Sequence, residues 1–175
     1  NAPTDLSNKM RFVHGFFRPL LNLVSTVKLA PSQLAADFMF GPNKDVTLLH
    51  NGVDLNVFRF DSQARADVRR ELNLEDGLLV GHIGRFEKQK NHIFLLKVFC
   101  EILKTHNKSV LLMAGVGSME KELQQYAMDL GISHNVKFLG RRKDIPELLM
   151  SMDVLVFPSL YEGLPVTLVE AQSSG

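Results

Sequence analysis

The chain has 175 residues, 45% of them hydrophobic and 22% charged, and a formal net charge of +1. Such a balance describes a globular chain with enough apolar material for one core, or for one domain with part of another. It supplies no bulk basic field for nucleic acid. The single cysteine, Cys100, excludes an internal disulfide and suits a reducing compartment, so a cytoplasmic location is expected. No apolar run reaches the ~20 residues of a membrane-spanning helix.

The elements follow in chain order. Asn1-Ala2 reads as a cloning remnant and is set aside. Residues 6–23 read as an apolar helix kinked or broken at Pro19. A short strand is predicted over 26–30, a helix from Pro31-Ser32 to about Phe40 stopped by Gly41-Pro42, and a strand over 46–50. Residues 55–62 read as a linker. A regular rhythm follows: helix 62–72, strand 78–83, helix 91–106, strand 110–114, helix 118–130, strand 136–139, helix 144–152, strand 154–157 and a helix from about Pro165. Cys100 falls in the apolar pattern of the 91–106 helix and is expected in the core. Strands that are continuous apolar runs, alternating with helices, predict an α/β fold with a parallel, doubly wound sheet.

In an open parallel sheet, ligands bind beyond the carboxyl ends of the strands. Each predicted strand is therefore informative at its exit. Strand 78–83 exits into Gly84-Arg85 and a loop ending at Lys90. Strand 110–114 exits into Gly115-Val116-Gly117-Ser118. Strand 136–139 exits into Gly140-Arg141-Arg142, and strand 154–157 into a segment holding Glu162-Gly163-Leu164-Pro165. Glycines, cations and a carboxylate on one rim point to an anionic ligand with a polar body, such as a nucleoside diphosphate bearing a sugar. Each piece also has a plainer use: Arg85 and Lys90 as solvated loop charges, Gly115 and Gly117 as a tight turn. The glycine pair lacks the third glycine of a dinucleotide fingerprint, because position 120 is Glu. Arg141-Arg142 would nevertheless suit a 2′-phosphate, which keeps an NADP-binding oxidoreductase domain as an alternative. A non-catalytic sugar- or partner-binding module is a third reading.

The segment FPSLYEGLPVTLVEAQ (157–172) places Glu162 and Glu170 around a Gly-Leu-Pro turn. Pro165 suits the first turn of a helix, where exposed backbone N–H groups attract anions. Glu170, one to two turns in, could merely offset the helix dipole. Glu162 sits beside that anion site and would repel its ligand unless it accepts hydrogen bonds from hydroxyls, which a sugar carries.

That segment resembles the E-x7-E signature of retaining GT-B glycosyltransferases of family 4, the group 1 type. GHIGRFEKQKN resembles the same family's G-R-x-x-x-x-K loop, and HNGVDLNVF its crossover between domains. LLMAGVGS and VKFLGRRKDIPELL match in order and spacing, so the resemblance runs from about Thr26 to Gly175, nearest to the bacterial exopolysaccharide and capsule branch. It implies an enzyme taking a UDP- or GDP-sugar donor, with no cofactor. Glu170 would bind the ribose and Glu162 would face the donor sugar. Arg85 and Lys90 would bind the pyrophosphate and stabilise the leaving group, with Gly84, Gly115 and Gly117 around them. Backbone amides of Gly163, Leu164, Pro165 and Val166 would assist (Pro165 itself has no N–H to give), and Arg141 would lie at the base. The resemblance also implies catalytic roles for Arg85, Lys90 and Glu162, no metal ligands since no D-x-D occurs, and a donor phosphate that takes the acceptor proton.

Under the same resemblance, residues 3–52 correspond to the trailing part of the acceptor domain, 53–62 to the crossover, and 63–175 to an incomplete donor domain. The expectation is a fragment, inactive alone, whose sugar or lipid-linked acceptor is bound by the missing N-terminal domain. Arg11, Phe12, Phe16, Phe17 and Arg18 offer a surface for peripheral contact with a membrane, and equally read as a helix face lacking its partner.

Overall fold

The computed structural model describes residues 8–74, 77–162 and 164–175. Two units are distinguished: the N-terminal residues through Gly52 with Tyr161–Val166, and Val53–Leu160 with Thr167–Gly175.

In the first unit, α1 (Asn8–Val24) and α2 (Gln33–Phe40) accompany a two-stranded parallel sheet of β1 (Leu29–Ala30) and β2 (Thr47–Leu48). The start of α2 is set by Ser32, whose Oγ accepts from the Ala35 N–H at 3.2 Å. Its end is set by Gly41, at a φ of 95° that disfavours a side chain. Arg18 Nη2 and Asn22 Nδ2 donate to the Phe38 and Phe40 carbonyls at 2.7 and 2.8 Å, closing α1 onto the last turn of α2. The expected break at Pro19 is absent, for α1 runs on through it. Pro19 and Gly15, whose carbonyl the proline leaves without a donor, are both exposed, so water can satisfy that group. β1 and β2 are shorter than predicted, because they pair only with each other.

The second unit is built on β3 (Leu79–Ile83), β4 (Val110–Ala114), β5 (Val136–Gly140) and β6 (Val154–Leu155). These form a four-stranded sheet of order β5-β4-β3-β6, parallel throughout. The chain builds outward from β3 to β5, then returns to add β6 on the other side of β3. Alternation along the strands feeds two cores. Val80, Leu111, Met113 and Val136 pack with Leu95, Leu96 and Phe99 of α4 (His92–Thr105) and Leu123 of α5 (Glu120–Asp129). Leu79, Leu112 and Ala114 pack with Val68 of α3 (Ser62–Glu71) and Leu148 and Leu149 of α6 (Ile145–Ser151). Helices on both faces explain why the strands read as unbroken apolar runs. Here the doubly wound parallel architecture is as expected.

β6 stops at Leu155, two residues short of the predicted run. The Val156 N–H still donates to the Gly81 carbonyl at 2.9 Å, but the Val156 carbonyl meets the Nδ1 of His82 at 2.9 Å instead of a strand partner.

A polar clamp fixes α3 against the turn between α6 and β6. Arg65 Nη1 donates to the Met150, Ser151 and Met152 carbonyls, and Arg65 and Arg69 both pair with Asp153. Asp153 Oδ2 also accepts from the Leu79 N–H at 2.7 Å, joining the clamp to the central strand. Burial alone would raise the Asp153 pKa, but the Leu79 N–H and the two guanidiniums hold it below its ordinary value. Because its carboxylate accepts several charge-assisted hydrogen bonds, Asp153→Ala should lower the unfolding free energy by about 1.5–3 kcal/mol. Urea titration would register this as a lower midpoint at unchanged slope. An unchanged midpoint would show the clamp to be dispensable.

Candidate functional site

A doubly wound sheet binds ligands where the strand order reverses. Here that place lies between β3 and β6, at the loops leaving their carboxyl ends. The β3 exit, residues 84–91, carries Arg85 and Lys90, and three contacts join it to the β6 exit. The Leu160 N–H donates to the Gln89 carbonyl at 2.8 Å, Asn91 Nδ2 donates to the Pro158 carbonyl at 3.3 Å, and Lys90 Nζ lies 4.5 Å from the centroid of the Phe157 ring. Asn91 takes a left-handed φ of 55° between the 3-10 turn Lys88–Lys90 and α4, a conformation asparagine tolerates better than most residues.

Behind this loop lies a buried group of rings. His82 and His92, both fully buried, meet edge to face with centroids 4.6 Å apart, and Phe86 meets His92 in the same way at 5.1 Å. Burial first, then the nearby His82 and Lys90 charges, push the His92 pKa down from 6.5 to about 3, with the Glu87 backbone acting weakly in the opposite sense.

The rim continues across the sheet. The Gly84 N–H donates to the Ala114 carbonyl, the Phe86 N–H to Val116, the Met119 N–H to Phe86, and the Gly115 N–H to the Gly140 carbonyl. A register shift between Met113 and Ala114 sets Ala114 opposite Gly140 and aims the β5 exit at this network. Gly115 and Gly117 serve it directly. A Cβ on Gly115 would run into the Gly84 carbonyl, and one on Gly117 into the Phe86 backbone. Their lack of side chains thus admits the neighbouring loop. The amino end of α5 is also occupied, since Ser118 Oγ and N–H donate to the Glu87 carboxylate at 3.0 and 3.4 Å. Arg142 is bound by Asp144 and Glu71. Among the described residues, this corner is filled by the protein's own groups.

Gly84, Arg85, Lys90, Gly115, Gly117 and Arg141 thus come together on one rim of the second unit. Arg85 is exposed, and among the described residues its guanidinium has no hydrogen-bond or ion-pair partner. Arg141 is exposed at the end of β5. Glu170 is half-buried in α7 (Val166–Ser173), its carboxylate meets no partner among the described residues, and burial pushes its pKa up. Glu162, Leu164, Pro165 and Val166 belong to the first unit, and Gly163 lies outside the described residues. Within that unit, Asn51 Nδ2 donates to the Leu164 carbonyl at 3.0 Å. Sequence reasoning overlooked Phe157, His82, His92, Glu87 and Asn91. A polar residue inside the buried run LVGHI was the available signal for His82.

The family description "Glycosyl transferases group 1" matches residues 64–175. The chain belongs to the group 1 glycosyltransferases. Among similar proteins is the putative glycosyltransferase EpsF of Bacillus subtilis, 39% identical over 164 residues, which cover 91% of this chain and 43% of that protein. Another is the UDP-Gal:alpha-D-GlcNAc-diphosphoundecaprenol alpha-1,3-galactosyltransferase of Escherichia coli, 32% identical over 74% of this chain and 35% of that one. HepE of Anabaena, crystallised in complex with UDP and glucose, shares the fold at a TM-score of 0.82 and 22% identity, over 94% of this chain and 46% of that one. This glycosyltransferase chain therefore spans less than half the length of these relatives. No helix among its described residues is long and apolar enough to cross a membrane.

Because His92 is held neutral, it should make stability fall with acid. The unfolded chain takes up a proton near pH 6.5, while the folded chain does not until about pH 3. The contribution is therefore full above 6.5 and lost as pH falls through that window, by up to about 1.4 kcal/mol per pH unit. Thermal melts between pH 7 and 5 should show a steeper decline for the wild type than for His92→Phe. Parallel declines would place the titration elsewhere.

Proposed function

We propose that this chain binds the nucleotide-sugar donor of a retaining glycosyltransferase that builds a polysaccharide, with UDP- or GDP-sugar as substrate and no cofactor. The observation that carries the reading is the cationic loop at the strand-order reversal: Arg85, without a hydrogen-bond or ion-pair partner among the described residues, and Lys90, seated beside Gly84. The sugar–phosphate bond breaks, and negative charge collects on the departing diphosphate. Arg85 and Lys90 neutralise it where it develops, which is the form of stabilisation that lowers a barrier. The acceptor hydroxyl bonds to the sugar carbon on the face the diphosphate leaves, and its proton passes to a donor phosphate oxygen.

Glu170 would take the ribose hydroxyls. A half-buried carboxylate without a partner among the described residues carries an unfavourable desolvation cost that hydroxyl donors would offset. In this reading Glu162 faces the donor sugar, backbone N–H groups of 163–166 other than that of Pro165 meet the phosphate, and Arg141 lies at the base. Residues through Gly52 correspond to the acceptor side and 63–175 to the donor side. The relatives support a UDP-linked donor and a lipid-linked acceptor: one is named for transfer from UDP-Gal to a diphosphoundecaprenol-linked sugar, and the Anabaena protein was crystallised with UDP. Work on a lipid-linked acceptor would put the protein at the cytoplasmic membrane face. The exposed apolar face of α1, with Phe16, Phe17 and Leu20, would suit that position.

The occupied amino end of α5 and the bound Arg142 speak against the NADP reading, and calorimetry separates the two. UDP or GDP should bind and NADP should not. Arg85→Ala and Lys90→Ala should each weaken the diphosphate about tenfold or more, with unchanged circular dichroism, since each removes a charge-assisted hydrogen bond. Binding of NADP alone, or unchanged affinity in both variants, would overturn the proposal.

A further inference from the structure

We propose that Asn51 is a positioning residue for the donor phosphate, its side-chain amide fixing the turn that opens α7. The inference rests on the reading that backbone N–H groups of that turn meet the phosphate.

The turn has little freedom to begin with. Pro165 fixes its own φ and biases Leu164 towards extended backbone. What these two residues leave open is the direction of the planar Leu164–Pro165 peptide. Asn51 Nδ2 donates to the Leu164 carbonyl at 3.0 Å and so takes hold of that plane. With the plane and the proline φ both set, a single backbone angle, the ψ of Pro165, separates it from the Val166 N–H at the start of α7. Asn51 is in turn held by the residues before it. The Leu49 N–H donates to the Ala30 carbonyl at 2.9 Å, carrying the β1–β2 pairing one residue past β2, and His50 Nδ1 meets the Pro31 carbonyl at 3.0 Å. Asn51 therefore reaches the turn from an anchored strand exit. A turn aimed beforehand spares the ligand the cost of ordering it. A neutral amide does this without adding a charge to the turn.

The test measures, by calorimetry on the protein and its variants, affinity for the diphosphate that binds, UDP or GDP, and for its nucleoside, uridine or guanosine, which lacks the phosphates. Asn51→Ala removes the donor. Asn51→Leu removes it while keeping the branched shape, and so covers the case in which the smaller side chain disturbs folding. Diphosphate affinity should fall about two- to fivefold in both, the lower part of the range for a neutral hydrogen bond, as suits an exposed one. Asn51→Gln keeps the amide and should retain most of the affinity. Nucleoside affinity should stay constant, and the melting temperature should stay close to that of the unaltered protein, as for other exposed substitutions. An equal loss for the nucleoside, or an equal loss in Asn51→Gln, would make Asn51 a packing residue and overturn the proposal. Unchanged diphosphate affinity in Asn51→Ala and Asn51→Leu, beside weakened binding in Arg85→Ala, would overturn this proposal alone. If neither diphosphate binds, or Arg85→Ala leaves the affinity intact, the diphosphate reading itself fails, and the proposal with it.

Discussion

Everything at the rim depends on β3 lying between β4 and β6. The chain leaves β3, adds β4 and β5 on one side, and has to return to place β6 on the other. That return leaves the β3 and β6 exit loops side by side with no crossover between them. Charge placed there is backed by a parallel sheet and its two cores, so the loops can be shaped by function while the scaffold stays rigid. The clamp of Arg65, Arg69 and Asp153 protects this arrangement from the opposite end, because Asp153 begins the approach to β6 and also binds the first residue of β3.

The β3 exit is held by hydrogen bonds, by ring contacts and by the fully buried Phe86. Its backbone pairs with the β4 exit, its tip with the β6 exit, and its Phe86 ring rests on the neutral His92. A neutral imidazole beneath the loop is consistent electrostatically, since burial and the neighbouring Lys90 charge both disfavour a cation at His92. Glu87 accepts from the Ser118 hydroxyl and N–H, tying the β3 exit to the β4 exit.

The sheet was legible because burial on both faces leaves a plain mark, a run such as VLLMA bounded by glycine. The strand-exit rule then pointed to Gly84, Arg85, Lys90 and Arg141 without any knowledge of side-chain contacts. What sequence could not express was partnership across distance. The ladder of β6 ends early because a histidine 74 residues away takes the Val156 carbonyl. Gly115 and Gly117 resemble part of a phosphate-binding turn, yet the group approaching them is the protein's own Gly84–Phe86 backbone. Arg142 looked as available as Arg141 until Glu71 and Asp144 were placed beside it. Pro19 failed to break α1 because the carbonyl it orphans faces water.

The central claim is that the donor diphosphate sits at the β3–β6 reversal and not at the Gly115–Ser118 turn. A crystal structure of the protein with UDP tests this most directly. The account predicts phosphate density within hydrogen-bond distance of Arg85 and Lys90, with Glu87 still bound to Ser118 and α5 unshifted. Phosphate density at the amino end of α5, with the Glu87 carboxylate displaced and Arg85 and Lys90 unengaged, would contradict it.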